Sequence, residues 1–277
     1  MFSAEKEPIW PETRPFLALL EQHVGLALGT EKQYLIQSRL QPLAKEHGLG
    51  EVPVFLAKLL TMPIGSLHWQ CFEAMTTQET RFFRDSFCYD MLREHILPSL
   101  IERARNRRAF SIWSAGTSTG QEACSLAILL HDEFPEVRNW NIRIWATDIC
   151  QQTLMQAQSF TYNSHELNNG LTTSQIELHF SATGDGHWQL SPSLKKWIEV
   201  SRHNLIDPSP RSMFDVILLR NVLIYFRADQ KQVVLNHMHQ SLNHPFGILM
   251  LGATEAIFGS SQFLQHKAKR GYYFSRI

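Results

Sequence analysis

Three segments of this chain place polar, ligand-ready side chains directly after apolar runs. Asp215-Val216-Ile217-Leu218-Leu219 leads into Arg220-Asn221-Val222-Leu223-Ile224-Tyr225-Phe226. Phe110-Ser111-Ile112-Trp113-Ser114 leads into Ala115-Gly116-Thr117-Ser118-Thr119-Gly120, and Ile142-Arg143-Ile144-Trp145-Ala146-Thr147 leads into Asp148. Short apolar runs of this kind, bounded by turn residues, read as buried strands. In open α/β sheets, ligands bind just beyond the carboxyl ends of such strands. Glycines at 116 and 120 permit close approach of backbone to a ligand. The helix expected from Glu122 to Leu130 offers free N–H groups at its start.

Asp148 stands where an acid can accept both hydroxyls of a ribose. The G-x-G-x-x-G fingerprint of dinucleotide sites is absent, so a nucleoside without a pyrophosphate fits better, and S-adenosylmethionine is such a ligand. A plainer role for Asp148 is N-cap of a helix over Cys150–Ala157. Gly116-Thr117-Ser118-Thr119-Gly120 also matches the G-x-S-x-G elbow of α/β-hydrolases, with Ser118 as nucleophile and Asp215 and His239 completing a triad. Against this, hydrolase sheets have several strands before the elbow, whereas the region upstream here reads as helical.

The elements that must carry these residues follow from periodicity. Phe16, Leu19, Leu20 and Val24 share one helical face. Thr30-Glu31-Lys32-Gln33 reads as a capping box, followed by a helix to about Leu43, with a stop at Gly48 and Gly50 and a third helix over 54–60. Residues 1–75 are therefore expected to form an N-terminal all-helical domain, and 76–109 a connector. Within the connector, Thr76 to Glu79 reads either as a capping box opening a helix with Phe82 and Phe83 in the core, or as a segment that closes over a ligand with Thr80 and Arg84 pointing in. From 110 to 277 strands and helices alternate, a doubly wound α/β pattern, with strands near 110–114, 142–147, 199–203, 215–219, 247–252 and 271–276. A β-insertion is expected at about 162–197, turning at Thr183-Gly184-Asp185-Gly186.

Composition narrows the function classes. Lys and Arg number 26 against 26 Asp and Glu, so net charge gives no reason to expect nucleic acid. The basic run Ile101–Arg108 reads as a solvated helix end or, alternatively, a docking patch. The four cysteines, Cys71, Cys88, Cys124 and Cys150, form no C-x-x-C pair, and no H-E-x-x-H occurs; reduced thiols and no metal site are expected. Met1-Phe2-Ser3-Ala4-Glu5-Lys6 lacks a signal-peptide pattern, and no apolar run approaches the roughly 20 residues of a membrane span. A cytoplasmic protein without membrane insertion is expected.

Four segments together resemble the chemoreceptor glutamate methyltransferase family (CheR): Thr76–Arg84, Trp113–Glu122, Ala146–Ile149 and Arg220–Phe226. Lys32–Leu49 is similar to that family's helical domain. The resemblance implies an α/β fold, with a helical domain followed by a class I methyltransferase sheet carrying an inserted β-subdomain. It implies methylation of glutamates on the cytoplasmic domain of methyl-accepting chemoreceptors, with S-adenosyl-L-methionine as cofactor and S-adenosyl-L-homocysteine as product. Cofactor contacts would fall on Gln78, Thr80, Arg84, Glu122, Asp148, Asn204, Leu205, Asn221 and Val222. Arg84, Asn221 and Tyr225 would act at the reacting centre. Lys32, Arg39 and Lys45 would lie on the receptor-docking helix. The loop Ser181–Gly186 looks like the family's shorter form, which implies that no receptor C-terminal pentapeptide tether is required. The chain departs from the family with Gln78 for Asn, Ala123-Cys124 for Pro-Tyr, and Gly252-Ala253-Thr254-Glu255 for Gly-His-Ser-Glu. These departures admit a second reading, a catalytically weak cofactor-binding interaction module.

Overall fold

A computed structural model describes residues 8–257 and 261–277; the leader pattern sought at 1–6 lies outside the described residues. The chain divides into two compact units, one running up to Thr77 and including Tyr225–Gln230, the other made of Gln78–Ile224 and Lys231–Ile277.

The first unit is helical: α1 (Thr13–Val24), α2 (Gln33–Glu46), α3 (Val52–Leu60) and α4 (Ser66–Met75). α1 buries Phe16, Leu17, Leu20 and Val24 and ends at Gly25, whose φ of +78° is the left-handed stop that glycine tolerates best. The capping box expected at Thr30 does not form. The Gln33 side chain instead accepts from the Trp10 N–H and the Thr13 hydroxyl, both at 2.8 Å, and residues 30–32 make a 3₁₀ turn. Arg39 donates to the carbonyls of Met75 (2.5 Å) and Thr76 (3.1 Å), where α4 ends. A cation there complements the helix dipole, so this candidate docking residue is committed inside its own unit.

Among its described residues the second unit holds ten strands: β1 (Ala109–Ala115), β2 (Asn141–Asp148), β3 (Thr161–Asn163), β4 (Phe180–Ala182), β5 (His187–Leu190), β6 (Ile198–Arg202), β7 (Val216–Leu219), β8 (Ile248–Leu251), β9 (Phe263–Lys267) and β10 (Tyr272–Arg276). The main sheet runs β6-β2-β1-β7-β8-β10-β9, and β3-β5-β4 form a separate small sheet. β6, β2, β1, β7 and β8 are mutually parallel; β10 and β9 are antiparallel additions. This is the expected doubly wound α/β sheet with an inserted β-subdomain. β7 is buried at every position, as a parallel strand covered on both faces must be. The chain leaves β1 toward β2 on one side and returns to β7 on the other. The crevice at that reversal is where open sheets bind ligands.

The connector contradicts the capping box at Thr76. Thr76 ends α4, its hydroxyl returning to Glu73 O at 2.7 Å, and residues 77–85 run without a helix until α5 (Ser86–Met91). The cause is long-range. Phe82 is fully buried, with ring centroids 5.1 Å from Tyr162 and 5.9 Å from Phe180. Phe83 and Asp85 take positive φ values of 48° and 58° to make that turn. A π-turn (Leu92–Ile96) joins α5 to α6 (Leu97–Ala104). The basic run at the end of α6 is solvent-exposed, with Arg105 paired to Glu102, Arg107 to Asp215, and Arg103 lying over the Phe246 ring.

Candidate functional site

Every parallel strand that the sequence marked as a ligand carrier ends at the same rim. β1 and β2 run in register to Ala115↔Thr147, β2 and β6 to Asp148↔Arg202, and β7 and β8 to Leu219↔Leu251. The residues beyond these positions are therefore neighbours: Gly116–Glu122, Asp148, His203–Leu205, Arg220–Val222 and Gly252–Glu255.

Gly116 and Thr117 both donate to Thr147 O at 2.8 Å, which folds the loop after β1 back over β2. Gly116 has φ +82°, and a Cβ there would lie 2.6 Å from Val222 Cγ2. The loop can approach the β7 end so closely only because residue 116 has no side chain. Gly120 then opens α7 (Gln121–Glu133) from φ +92°.

Asp148 is 8% exposed. Its Oδ2 accepts the Ser118 N–H at 2.8 Å and its Oδ1 the Cys150 N–H at 3.0 Å. Burial raises its pKa, with the backbone donors of Cys150, Ser118 and Ile149 working the other way. It is not the N-cap of the next helix, α8 (Gln151–Ser159), whose cap is Cys150. A carboxylate offers about four acceptor positions, so capacity for a ribose hydroxyl remains beside these backbone donors.

Glu122 accepts from Ser114 Oγ at 2.8 Å and from Arg220 Nη1 at 2.7 Å. Asn221, with φ 59°, and Val222 are held by Glu255, whose Oε2 accepts the Asn221 N–H at 2.7 Å and whose Oε1 accepts the Val222 N–H at 2.9 Å. The Gly252 N–H also reaches Glu255 Oε2, at 2.8 Å. The Gln78 carbonyl accepts from Ser118 Oγ at 2.9 Å, which joins the connector to the β1 loop. Thr80 is half-buried, and Arg84, also half-buried, donates to Glu79 O at 2.6 Å. Asn204 is half-buried and Leu205 buried in the loop after β6, where Asn204 O accepts the Asp207 N–H at 3.0 Å. Just before them, His203 packs against Trp113 and Trp145, its pKa lowered by burial. Tyr225 is counted with the helical unit, and its carbonyl accepts the Ala27 N–H at 2.9 Å.

The hydrolase triad is not assembled. Asp215 lies at the opposite end of β7, its carboxylate accepting from Ser111 N and from Asn243 and Arg107 side chains. His239 packs edge-on against Phe263. Reading in strand direction would have excluded the triad, because Asp215 precedes its strand while Ser118 follows its own.

The sequence marked Arg220 as a polar residue at a strand end but gave it no partner, and it gave no site role to Ser114 or Glu255. All three lie within quoted segments, but only the structure shows which groups they hold. All four cysteines are free and buried. Among the described residues, one group has the makings of a metal site: His131, Asp132 and His179, whose ligand atoms lie within 4.8 Å of one another. It lies away from the strand ends. His179 Nε2 and Asp132 Oδ1 are 2.8 Å apart, a hydrogen bond that fastens the helix Thr173–His179, on the β-subdomain, to α7.

A family model described as the SAM-binding domain of CheR methyltransferases matches residues 78–272. The chain belongs to the CheR methyltransferase family. It is thus an S-adenosylmethionine-dependent methyltransferase by family. Similar proteins include chemotaxis protein methyltransferase 1 of Vibrio cholerae, 38% identical over 90% of this chain and 90% of the relative. Chemotaxis protein methyltransferase 1 of Pseudomonas aeruginosa is 35% identical over 87% of this chain and 89% of its own length. A probable chemotaxis protein methyltransferase of Rhizobium etli is 30% identical, over 88% and 92%. Among the described residues of this CheR-family chain, no helix is long and apolar enough to cross a membrane.

Proposed function

We propose that this chain methylates glutamate side chains on the cytoplasmic domain of methyl-accepting chemoreceptors, forming glutamate methyl esters, and that it works in the cytoplasm. The observation that carries the reading is the convergence of Gly116–Glu122, Asp148, Asn204–Leu205 and Asn221–Val222 on one rim beside the β1–β7 reversal. The donor set suits the cofactor: a guanidinium (Arg84) for its carboxylate, acids (Glu122, Asp148) for its ammonium and ribose hydroxyls, and amides (Gln78, Asn204, Asn221) with Thr80, Leu205 and Val222 for the remainder. When bound, S-adenosyl-L-methionine supplies an electrophilic methyl carbon on a sulfonium.

The chain's own task is to hold and orient. A glutamate has an ordinary pKa near ~4.3 and arrives ionised at neutral pH, so no general base is required. That agrees with the unassembled Ser118, Asp215 and His239. Positioning a nucleophile in line can supply on the order of 7–11 kcal/mol. Arg84 and Asn221 are assigned to that task, and Tyr225, three residues beyond Val222 in sequence, to the substrate side. The short hairpin loop at 183–186 supports a reading in which no pentapeptide tether is required.

The test is transfer of labelled methyl from S-adenosylmethionine to receptor-bearing membranes, followed by base treatment, which releases methanol from carboxyl esters. Labelled, base-labile receptor supports the proposal. Binding of S-adenosyl-L-homocysteine without transfer to any receptor supports instead a non-catalytic cofactor-binding module.

A further inference from the structure

We infer that Arg220 is a positioning residue that sets Glu122 and Arg84 for the cofactor; this rests on the cofactor reading above. The Arg220 side chain is 2% exposed, yet it carries a full charge at the end of β7. Burial opposes that charge, but the carboxylates of Glu122 and Asp85, with Tyr89 and Cys88, hold the guanidinium above its ordinary range. Its fork reaches in two directions. Nη1 donates to Glu122 Oε2 at 2.7 Å, while Nη2 donates to the Arg84 carbonyl at 2.5 Å and lies 3.2 Å from Asp85 Oδ2. The guanidinium also stacks over the Tyr89 ring, 5.6 Å from its centroid. One side chain thus links the β7 end, the first turn of α7 and the connector.

Two features argue that this linkage serves the site and not the fold alone. A buried ion pair contributes little net stability, since desolvation offsets the attraction and apolar replacements often do as well. The turn it holds is also strained: Phe83 and Asp85 both occupy left-handed backbone without being glycine. Such conformations persist only where surroundings over-determine them, and they gather at functional sites. Here Ser125 Oγ accepts the Phe83 N–H at 3.0 Å and Arg220 takes the Arg84 carbonyl, so the turn is pinned on both sides of the residue that presents Arg84. A lysine keeps the charge but, as a single point donor, cannot span Glu122 and the Arg84 carbonyl in the same way.

The experiment measures affinity for S-adenosyl-L-homocysteine by titration calorimetry in the full chain, for wild type, Arg220→Lys, Arg84→Ala and the double variant. Arg220→Lys is expected to stay folded and to weaken binding about tenfold, the equivalent of ~1.4 kcal/mol. In the Arg84→Ala background the loss from Arg220→Lys should shrink markedly, because the side chain being positioned is gone; that non-additivity is what a merely structural role does not produce. Asp85→Asn, which slackens the same turn from a partly exposed position, serves where Arg220→Lys does not fold, and should weaken binding about threefold on the same scale. Affinity within twofold of wild type in folded Arg220→Lys, strict additivity with Arg84→Ala, or an unaltered Asp85→Asn used in its place overturns the inference. A wild-type chain that does not bind the product at all overturns the cofactor reading instead.

Discussion

Asp148 is the residue whose replacement tests both the fold and the site, and the structure shows that the two effects must be separated. Its carboxylate accepts backbone donors, among them Ser118 N–H at 2.8 Å and Cys150 N–H at 3.0 Å. Hydrogen bonds to a charged group contribute about 1.5–3 kcal/mol each, and a buried donor left unpaired costs about 1–3 kcal/mol. Removing a buried charge returns part of this, since burial already raises the Asp148 pKa. Asp148→Ala is therefore expected to destabilise the chain by about 2–4 kcal/mol, a fall of roughly 5–15 °C in Tm for a chain of this size. Asp148→Asn keeps one carbonyl acceptor but turns an NH₂ toward the other donor, so about half that loss is expected. Calorimetric melting gives the first quantity and titration with S-adenosyl-L-homocysteine at a temperature where both variants are folded gives the second. A melting point for Asp148→Ala within about 2 °C of wild type refutes the role of Asp148 as acceptor for these backbone donors on the same scale. Unchanged product affinity in folded Asp148→Asn refutes the ribose assignment.

Three further outcomes are expected. Glu255→Gln replaces one acceptor oxygen of a carboxylate that takes the N–H groups of Asn221, Val222 and Gly252; stability should fall by about 1.5–3 kcal/mol in denaturant unfolding, with weaker product binding by calorimetry, and unchanged values contradict the assignment. Gly116→Ala places a methyl 2.6 Å from Val222 Cγ2 on backbone of φ +82°, and a loss of about 1–3 kcal/mol in stability with weaker product binding should follow, checked by denaturant unfolding and calorimetry. Burial holds the pKa values of His179, His203 and His239 below the ordinary histidine value. The folded chain then binds fewer protons than the unfolded chain once pH falls below about 6.5, so stability declines from there toward the lowered folded values. Asp148, raised by burial, acts in the opposite sense. A Tm that stays flat or rises on moving from about pH 7.5 to about pH 5.5 contradicts the histidine account.

Much of the second unit was legible because parallel strands are covered on both faces: β7 and β8 appear as unbroken apolar runs, and β1 and β2 are apolar runs interrupted at Ser111 and Arg143. β1, β2, β7 and β8 lie within a few residues of their expected positions. β9 gave no such signal: of Phe263–Lys267 only Phe263 is buried, as befits an edge strand. The groups on the strand ends were also legible, since a polar residue straight after an apolar run can only emerge at the rim. The connector was misread as a possible helix because its Thr-x-x-Glu pattern is local, while Phe82 is claimed by Tyr162 and Phe180, about 80 and 98 residues later. Gln33 went astray for the same reason, held by Trp10 and Thr13 instead of its own helix start.

The sequence by itself determined which residues reach the ends of buried strands, because the apolar run and the break that follows it are properties of neighbours along the chain. Only the tertiary structure decided what those residues do when they arrive. That Arg220 grips Glu122 and the Arg84 carbonyl, that Glu255 holds Asn221 and Val222, and that Asp215 sits at the wrong end of the sheet for Ser118 all depend on strand order and register. Those follow from packing among distant segments, which no local pattern encodes.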